Sequence, residues 1–325
     1  MAKVCEDWYP MGSYKGQRSP GFYMHNTLKA NLDALLKNVK KDWDFVICIT
    51  AGGAVRYGKS VIALQIGMYW TYMLWKLYGI KVPFNTEQNI VYQGVKLIEQ
   101  GNDLGIKHKN SVLIFDEAGA DLEGVKVMQK TTQAVKDFLR ECGQYNMLTI
   151  LVLPEFFDLP KGIAMSRSNF LIDCFVTAKD DQWERGWYNF FSRPNKKMLY
   201  MKGKRDLNYR AHKEDFHGDF DDVYPREVMS NEKGFYLNGG TKEFEDKYRK
   251  LKQEALKSRA EVSTKELKTD EWLKASVTLL YENQDSYDST AQLISSKSKI
   301  PIGYRTVARI VKGERGSVEQ DKEEN

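Results

Sequence analysis

The sequence predicts an α/β fold in which a mostly parallel β-sheet is covered by helices on both faces and is followed by a small C-terminal helical module. Short apolar runs such as FVICIT at 45–50 alternate along the chain with longer segments of helical periodicity. These runs are apolar at nearly every position, which is typical of strands buried on both faces. Strands that are joined by helical crossovers form parallel sheets.

The elements of this sheet domain, predicted for residues 26–240, follow from local patterns. The first helix is predicted at 26–40, where leucines recur at helical spacing behind Asn26, a residue that favours N-cap positions. Further helices are predicted at 59–78, within 86–103 and at 130–146. The strands are predicted at 44–50, 111–119, 147–156 and 169–178. Residues 1–25 are predicted to form an N-terminal arm.

Composition restricts the class of protein. With 42% hydrophobic residues and a net charge of +5, the 325-residue chain can bury a core and is only mildly basic. Its four cysteines are widely spaced, so we expect free thiols, no zinc site and a cytoplasmic location, the host cytoplasm if the protein is viral. Residues 61–80 imitate a membrane span but contain Gln65, Thr71 and Lys76. A buried helix fits them better, so we expect no stable membrane insertion.

The segment AGGAVRYGKS at 51–60 matches the pattern G-x-x-x-x-G-K-[ST] and lies between a predicted strand and a predicted helix. In such a loop, backbone N–H groups surround the phosphates, the lysine reaches the β- and γ-phosphates, and the serine hydroxyl binds Mg²⁺. The sequence therefore predicts that ATP and Mg²⁺ bind here. The residues expected to contact the nucleotide are Gly53, Arg56, Tyr57, Gly58, Lys59, Ser60 and Val61.

The strand SVLIF ends in two acids, Asp116 and Glu117. In a Mg²⁺–nucleotide site Asp116 would hold the metal together with Ser60, and Glu117 would orient or deprotonate the attacking water. A hydrolase needs this second carboxylate, whereas a small-molecule kinase uses the hydroxyl group of its substrate. The pair therefore favours ATP hydrolysis, with Lys59 and Glu117 as catalytic residues. Two acids that merely cap a strand are the alternative.

A sensor residue and an arginine supplied in trans complete many ATPase sites. Glu155 ends the next strand, where Gln or Asn is more usual, so it is either a sensor toward the nucleotide or a surface acid. Arg140 and Arg167 are candidates for the arginine that a neighbouring subunit directs at the γ-phosphate. Either could instead be an ordinary ion-pair arginine, and its position beside a strand end slightly favours Arg167.

The loop, the segment LIFDE and the stretch LVLPEFFDLPKGIAMSRSNFLIDC together resemble the additional-strand catalytic-glutamate P-loop ATPases. Within that group they resemble the FtsK/HerA-like and zonular occludens toxin-like DNA translocases of phages, archaeal viruses and plasmids. The resemblance covers roughly residues 40–200. It implies a P-loop NTPase fold and an ATP-driven motor, often a hexamer, that moves or packages DNA. Lys59, Ser60, Asp116 and Glu117 match the family pattern, and Glu155 departs from it.

Residues 183–213 are predicted to form basic β-hairpins, because basic and aromatic residues are interleaved there with Gly, Pro and Asn turns. Basic side chains attract the DNA backbone, and aromatic rings stack on bases. The alternative is a solvated hairpin whose aromatic residues face the core. The candidate DNA contacts are Arg193, Lys196, Lys197, Lys202, Lys204 and Arg205.

The C-terminal part of the chain predicts a linker and a second module. Residues 241–269 read as a charged helical linker, 270–315 as a helix-turn-helix-like DNA-binding module, and 316–325 as a disordered acidic tail. A three-helix module without DNA contacts is the alternative. The candidate contacts in this module are Tyr304, Arg305, Thr306 and Arg309.

Together these features predict a Mg²⁺-dependent ATPase that acts on DNA as a homo-oligomeric ring, such as a hexamer, in packaging or replication by a mobile element. An ATP-switched DNA-binding or assembly protein of the loader or partition type, without translocation, is the alternative from another class. A nucleotide kinase and a secretion-associated ATPase are weaker alternatives. The helix-turn-helix pattern disfavours the kinase, and the expected absence of a membrane span disfavours the secretion ATPase.

Overall fold

A computed structural model describes residues 8–9, 12–14, 17–19, 21–122, 130–179, 182–231, 234–284, 286–298 and 302–312. The chain divides into two compact units, Met1–Lys252 and Gln253–Asn325. Much of the predicted N-terminal arm and all of the predicted tail at 316–325 lie outside the described residues.

Strands and helices alternate through the first unit, and helices make up the described part of the second. The strands are β1 Trp8–Tyr9, β2 Gly12–Tyr14, β3 Gln17–Ser19, β4 Phe22–Tyr23, β5 Phe45–Thr50, β6 Ile90–Val91, β7 Val112–Phe115, β8 Leu148–Val152, β9 Phe170–Lys179, β10 Gln182–Phe191, β11 Phe216–Asp219, β12 Glu227–Asn231 and β13 Gly234–Asn238. The helices are α1 Asn26–Leu36, α2 Lys59–Tyr78, α3 Gly94–Lys107, α4 Gly119–Leu122, α5 Lys130–Glu141, α6 Arg193–Gly203, α7 Thr241–Gln284, α8 Tyr287–Ser298 and α9 Tyr304–Val311.

The main sheet has seven strands in the order β11-β10-β9-β5-β8-β7-β6. Strands β9, β5, β8, β7 and β6 are parallel, and β10 and β11 extend the sheet by antiparallel pairing. The predicted α/β fold with a mostly parallel sheet is confirmed. The loops that follow β5 and β7 open at the same edge of the sheet, because parallel strands end there together.

Helices cover both faces of this sheet, as predicted. On one face, α3, α5 and α6 share a hydrophobic cluster with the strands, to which they contribute Leu97, Leu139 and Leu199. On the other face α2 packs against the strands, and its Trp70 meets Phe45 edge-on at a ring-centroid distance of 5.9 Å. Burial from both sides explains why the strands are continuous apolar runs in the sequence.

Helix α2 has the predicted bounds and is buried along most of its length. It ends at Gly79, whose φ of 65° is the left-handed conformation that closes helices. The buried Gln65 donates from its side-chain amide to the carbonyl oxygens of Asp221 and Val223 at 2.7 and 2.8 Å. Among the helices that the structure describes, none is long and apolar enough to cross a membrane.

Two local predictions are wrong. Residues 193–203, predicted within β-hairpins, form helix α6. Pro194 lies in its first turn, where a missing N–H and a fixed φ favour helix initiation. The N-cap of α1 is His25 rather than Asn26, and the His25 ring accepts a hydrogen bond from the Thr27 N–H at 3.3 Å.

The predicted boundary between linker and C-terminal module is not a break in structure. Helix α7 runs continuously from Thr241 to Gln284 and passes through residues 269 and 270. Within the second unit, Val277 of α7, Ala291 of α8 and Val307 of α9 are buried together. The described part of this unit is a three-helix cluster, and its assignment as a helix-turn-helix DNA reader stays a prediction.

Candidate nucleotide-binding site

The loop between β5 and α2 has a backbone that glycine makes possible. Gly52, Gly53 and Gly58 have φ angles of 51°, 77° and 86°. A Cβ atom on Gly58 would lie 2.7 Å from Cζ of Phe220, so any larger residue would require a shift. The loop and the first turn of α2 border a cleft of about 480 Å³. Of the residues predicted from the sequence, this cleft is lined by Arg56, Tyr57, Gly58, Lys59, Ser60, Val61, Asp116 and Glu117.

Lys59 is directed into the loop. Its ammonium donates a hydrogen bond to the carbonyl oxygen of Ala54 at 2.6 Å. Burial lowers the pKa of Lys59, and the nearby Cys174, Glu117 and Asp116 oppose that shift. An ammonium group that is costly to bury, beside a helix N-terminus, is suited to receive phosphate oxygens.

Ser60 and Asp116 meet at the floor of the cleft. The Ser60 hydroxyl lies 3.3 Å from both carboxylate oxygens of Asp116, which is 1% exposed. The next residue, Glu117, donates its backbone N–H to Asp116 Oδ1 at 3.0 Å. Its φ of 61° is unusual for a residue other than glycine, a strain that concentrates at functional sites. A hydroxyl and a buried carboxylate are ligands that Mg²⁺ prefers, and they leave positions for phosphate oxygens and water.

Helix α7 brings three side chains to the cleft that the sequence did not predict, namely Tyr248, Arg249 and Lys252. The Tyr248 hydroxyl donates a hydrogen bond to Asp116 Oδ2. The Lys252 ammonium lies 3.0 Å from Asp116 Oδ2 and 2.7 Å from Glu117 Oε1. The two carboxylates therefore bind the Lys252 ammonium in this structure. The ammonium lies at the place where the side chains of Ser60 and Asp116 are suited to bind a metal ion.

The protonation states of these α7 residues follow from their surroundings. Burial lowers the pKa of Lys252, but Asp116 and Glu117 raise it by more, so the net pKa lies above the usual value. Burial raises the pKa of Tyr248 well above its ordinary value, and Asp116 adds to the shift. Lys252 is therefore charged and Tyr248 is a neutral donor at physiological pH. In the sequence, Tyr248 and Lys252 are related by a spacing of four residues, which places both on one face of a helix.

A second, open cleft adjoins the phosphate loop on the side of the β9–β10 hairpin. Val55, Tyr57, Trp183 and Arg185 line it, and Arg185 also borders the first cleft. The Trp183 side chain is 75% exposed. An exposed indole beside a phosphate loop offers a surface on which a nucleobase can stack. No sequence motif marks Trp183 or Arg185 as residues of a nucleotide site.

Glu155 lies beneath the phosphate loop. Its Oε1 accepts hydrogen bonds from the Tyr209 hydroxyl at 2.5 Å and from the Phe157 N–H at 3.2 Å. Gly53, above it, donates its N–H to the carbonyl oxygen of Pro154 at 2.8 Å. Both donors to Glu155 are neutral groups outside the phosphate loop, and its role as a sensor stays a prediction.

The two candidate arginines lie near the amino ends of the parallel strands, at the edge opposite the phosphate loop. Arg167 pairs with Asp44 and donates to the carbonyl oxygen of Leu139. These bonds within the chain hold its guanidinium, so the slight preference for Arg167 is not supported. Arg140, at the end of α5, has 65% of its side chain exposed and forms an ion pair of 3.5 Å with Asp137. Arg140 is therefore the better candidate for action in trans.

One predicted DNA contact in the first unit is wrong. Lys196 is fully buried, and its ammonium donates to the carbonyl oxygen and the hydroxyl of Ser168 at 2.8 and 2.7 Å and to the carbonyl oxygen of Ala164. Burial lowers the pKa of Lys196 to about 8. It satisfies backbone carbonyls beneath α6 and cannot meet a phosphate. The other candidates there are exposed or half-buried: Arg193, Lys197, Lys202, Lys204 and Arg205.

Of the DNA contacts predicted in the C-terminal module, two are exposed and one is buried. Tyr304 and Arg305 are exposed at the start of α9. Thr306 is 5% exposed and precedes the fully buried Val307, so it belongs to the core side of the helix and is wrong as a DNA contact. The side chain of Arg309 lies outside the described part of the chain.

No family model and no curated protein matches this chain. Among solved structures it is similar to the genome packaging NTPase B204 from Sulfolobus turreted icosahedral virus 2. The complex of that protein with ATP-gammaS aligns with a TM-score of 0.31 and 15% identity over 46% of this chain and 92% of that chain. Its complexes with AMP and AMPPCP align with TM-scores of 0.31 and 0.30, at 15% and 16% identity, over 48% of this chain and 95% of that chain.

Proposed function

We propose that the protein is a Mg²⁺-dependent ATP hydrolase. The observation that carries the proposal is the placement of the Ser60 hydroxyl 3.3 Å from the buried Asp116 carboxylate, with Lys59 and Glu117 on the same cleft. Ser60 and Asp116 would hold the metal, which when bound neutralises charge on the phosphates.

The other residues of the cleft have distinct tasks in hydrolysis. The first turn of α2 offers unpaired N–H groups to the phosphates, and the Lys59 ammonium turns from Ala54 to the phosphate oxygens. Glu117 orients a water molecule and accepts its proton while the water oxygen bonds to the γ-phosphorus. The bond between the γ-phosphorus and the bridging oxygen breaks, and ADP and phosphate leave.

We further infer that DNA is the partner of this ATPase. The exposed basic residues of α6 and of the loop after it support a surface in the first unit that binds DNA phosphates. The exposed Tyr304 and Arg305 support a DNA-binding surface in the second unit. The chain would act in the cytoplasm as a homo-oligomeric ring, with Arg140 supplied in trans, to move or package the DNA of a mobile element.

An ATP-switched DNA-binding protein without translocation is the second candidate. The observation that favours it is α7, which carries Tyr248 and Lys252 at the cleft and continues past Lys252 into the second unit. A motor displaces a roadblock from DNA and turns over ATP repeatedly when DNA is added. A switch turns over slowly and binds DNA tightly only with nucleotide present.

The hydrolase proposal is tested by measuring ATP turnover in Lys59→Ala and Glu117→Gln. We expect Glu117→Gln to lower turnover by roughly a hundredfold or more while nucleotide still binds, because a positioned base contributes about that factor. Lys59→Ala should weaken nucleotide binding as well. Lys107→Ala, an exposed lysine on α3, is the control and should match the wild type. Undiminished hydrolysis in both site variants would overturn the proposal.

A further inference from the structure

Two side chains of α7, one helical turn apart, reach the same carboxylate, that of Asp116. Tyr248 is 3% exposed, and Phe244, one turn before it, is 1% exposed and stacks on Phe84 at a ring-centroid distance of 6.1 Å. These buried aromatic residues hold the start of α7 against the sheet domain. Lys252, one turn further on, is therefore brought to the carboxylates by a packed helix rather than by a mobile chain.

The hydrogen-bonding capacity of Asp116 is used up by these contacts. A carboxylate has about four lone-pair sites. Oδ1 accepts from the Glu117 N–H at 3.0 Å and lies 3.3 Å from the Ser60 hydroxyl. Oδ2 accepts from the Tyr248 hydroxyl and from the Lys252 ammonium, the latter at 3.0 Å. A divalent cation that needs Asp116 as a ligand would meet a carboxylate whose acceptor sites are already occupied.

Lys252 also occupies the second carboxylate. Its ammonium is 2.7 Å from Glu117 Oε1, so this oxygen is already paired with a cation and is not open to a water molecule. A divalent cation placed beside Asp116 would in addition be repelled by the ammonium at short range. One side chain thus opposes metal binding and water activation at once.

We propose that Lys252 is an inhibitory latch, which holds Asp116 and Glu117 and has to release them before a divalent cation binds at Ser60 and Asp116. The latch rests on the proposed function, since it regulates that same site. Release does not require α7 to unpack. The lysine stem is flexible and its side chain is 24% exposed, so it can turn toward the open cleft while Phe244 and Tyr248 stay buried.

The test is a titration of the full-length protein with Mn²⁺, followed by electron paramagnetic resonance, with and without the non-hydrolysable analogue AMPPNP. Lys252→Met removes the charge and keeps the length of the side chain, and Lys252→Arg keeps the charge. We expect Lys252→Met to bind Mn²⁺ about tenfold more tightly than the wild type, which is the size of a typical coupling between competing sites. Lys252→Arg should resemble the wild type.

Lys250→Met, an exposed lysine on the same helix, is the matched control and should leave Mn²⁺ binding unchanged. Thermal unfolding adds a second measurement. Without metal, Lys252→Met should melt at a lower temperature, because the buried Asp116 loses its counter-charge, and Mn²⁺ should raise its melting temperature by more than that of the wild type.

Mn²⁺ binding that is no tighter in Lys252→Met overturns the latch, as does a destabilised variant that Mn²⁺ does not rescue. Turnover that falls in Lys252→Met with unchanged Mn²⁺ affinity also overturns it, and makes Lys252 a catalytic group. The two proposals fail separately. If neither the wild type nor Lys252→Met hydrolyses ATP, but Lys252→Met binds Mn²⁺ more tightly, the latch is supported and the hydrolase proposal is not.

Discussion

Asp173 on β9 is an acid buried beneath the phosphate loop. It is 7% exposed, and its Oδ1 has no hydrogen-bond partner among the described residues. Burial raises the pKa of Asp173 to about 7, a hydrogen bond with Asn189 opposes the shift, and Glu155 adds to it. The folded pKa lies above the unfolded value of about 4, so the folded state binds more protons between these two values. Stability therefore falls as pH rises from about 4 to about 7 and is level above that range.

Asp173→Asn removes this dependence. Relative to the wild type, the variant should gain on the order of 2 kcal/mol in free energy of unfolding between pH 5 and pH 8, because each pH unit within the window is worth about 1.4 kcal/mol. Urea unfolding at the two pH values measures it. Asp103→Asn, an exposed acid on α3, is the control and should show no such gain. An equal difference between Asp173→Asn and wild type at both pH values would contradict the argument.

At the scale of single residues, the sequence predicted those site residues that belong to a local sequence motif. Lys59, Ser60, Asp116 and Glu117 each stand in a motif whose neighbours impose the geometry. Tyr248 contacts Asp116 across 132 residues of sequence, so tertiary packing alone brings it there. Lys196 shows a different limit of sequence-based prediction. A lysine in a basic segment has the same local sequence whether its ammonium contacts a phosphate or a buried carbonyl oxygen.

The β9–β10 hairpin places Trp183 beside the phosphate loop, next to the proposed nucleotide site. Stacking of a base on an aromatic ring contributes about 1–3 kcal/mol. Trp183→Ala should therefore weaken ATP binding by roughly tenfold and leave the binding of inorganic tripolyphosphate unchanged, because that ligand has no base. Isothermal titration of both ligands measures this. Trp43→Ala, at an exposed tryptophan before β5, is the control, and equal losses for the two ligands would rule out stacking.

Helix α6 and the loop after it carry the exposed basic surface of the first unit. In the proposed function, Lys202 and Arg205 contact phosphates, and each such contact contributes about one unit to the slope of log affinity against log salt. Replacing both by Ala should lower that slope by about 1 to 2. Fluorescence anisotropy with labelled DNA at several salt concentrations measures it. Lys96 and Lys107, both exposed on α3, replaced together are the control pair, and a slope as low in that pair would contradict a specific surface.

The strands and helices were predicted correctly where the pattern of apolar residues was regular. They were predicted wrongly where the amino-acid composition resembled that of another kind of element. Strands β5, β7, β8 and β9 lie close to their predicted positions, because burial on both faces leaves continuous apolar runs. Helix α6 was predicted as hairpin, since its aromatic and basic residues resemble a strand-and-turn pattern. Ser192 followed by Pro194 was the signal that identifies a helix start. Helix α7 has no internal Gly or Pro, which is the reason that linker and module are joined in one helix.

At the scale of the whole molecule, strand order is what assembles the site. The phosphate-loop strand β5 lies two positions from β7, with β8 between them, so their carboxyl ends present Ser60 and Asp116 to one cleft. Apolar patterning predicts that such a sheet exists, but it does not specify the order of its strands. The resemblance to P-loop ATPases implied a site that joins these residues, whereas the contribution of α7 depends on long-range packing that no local pattern records.

The proposed ring makes each active site a joint product of two subunits, which can be tested by mixing. Arg140→Ala subunits keep the phosphate loop and lose the arginine, and Lys59→Ala subunits do the opposite, so each alone should be nearly inactive. When they are mixed in equal amounts, about a quarter of the interfaces join an intact loop to an intact Arg140 from its neighbour. ATP turnover should therefore recover to roughly a quarter of the wild-type rate. Mixing Lys59→Ala with Glu117→Gln is the control, because both changes damage the same half of the site and no combination restores it. If ATP turnover recovers only in the first mixture, Arg140 is the residue that acts in trans. If it recovers in neither mixture, Arg140 does not act in trans and the proposed shared active site is contradicted.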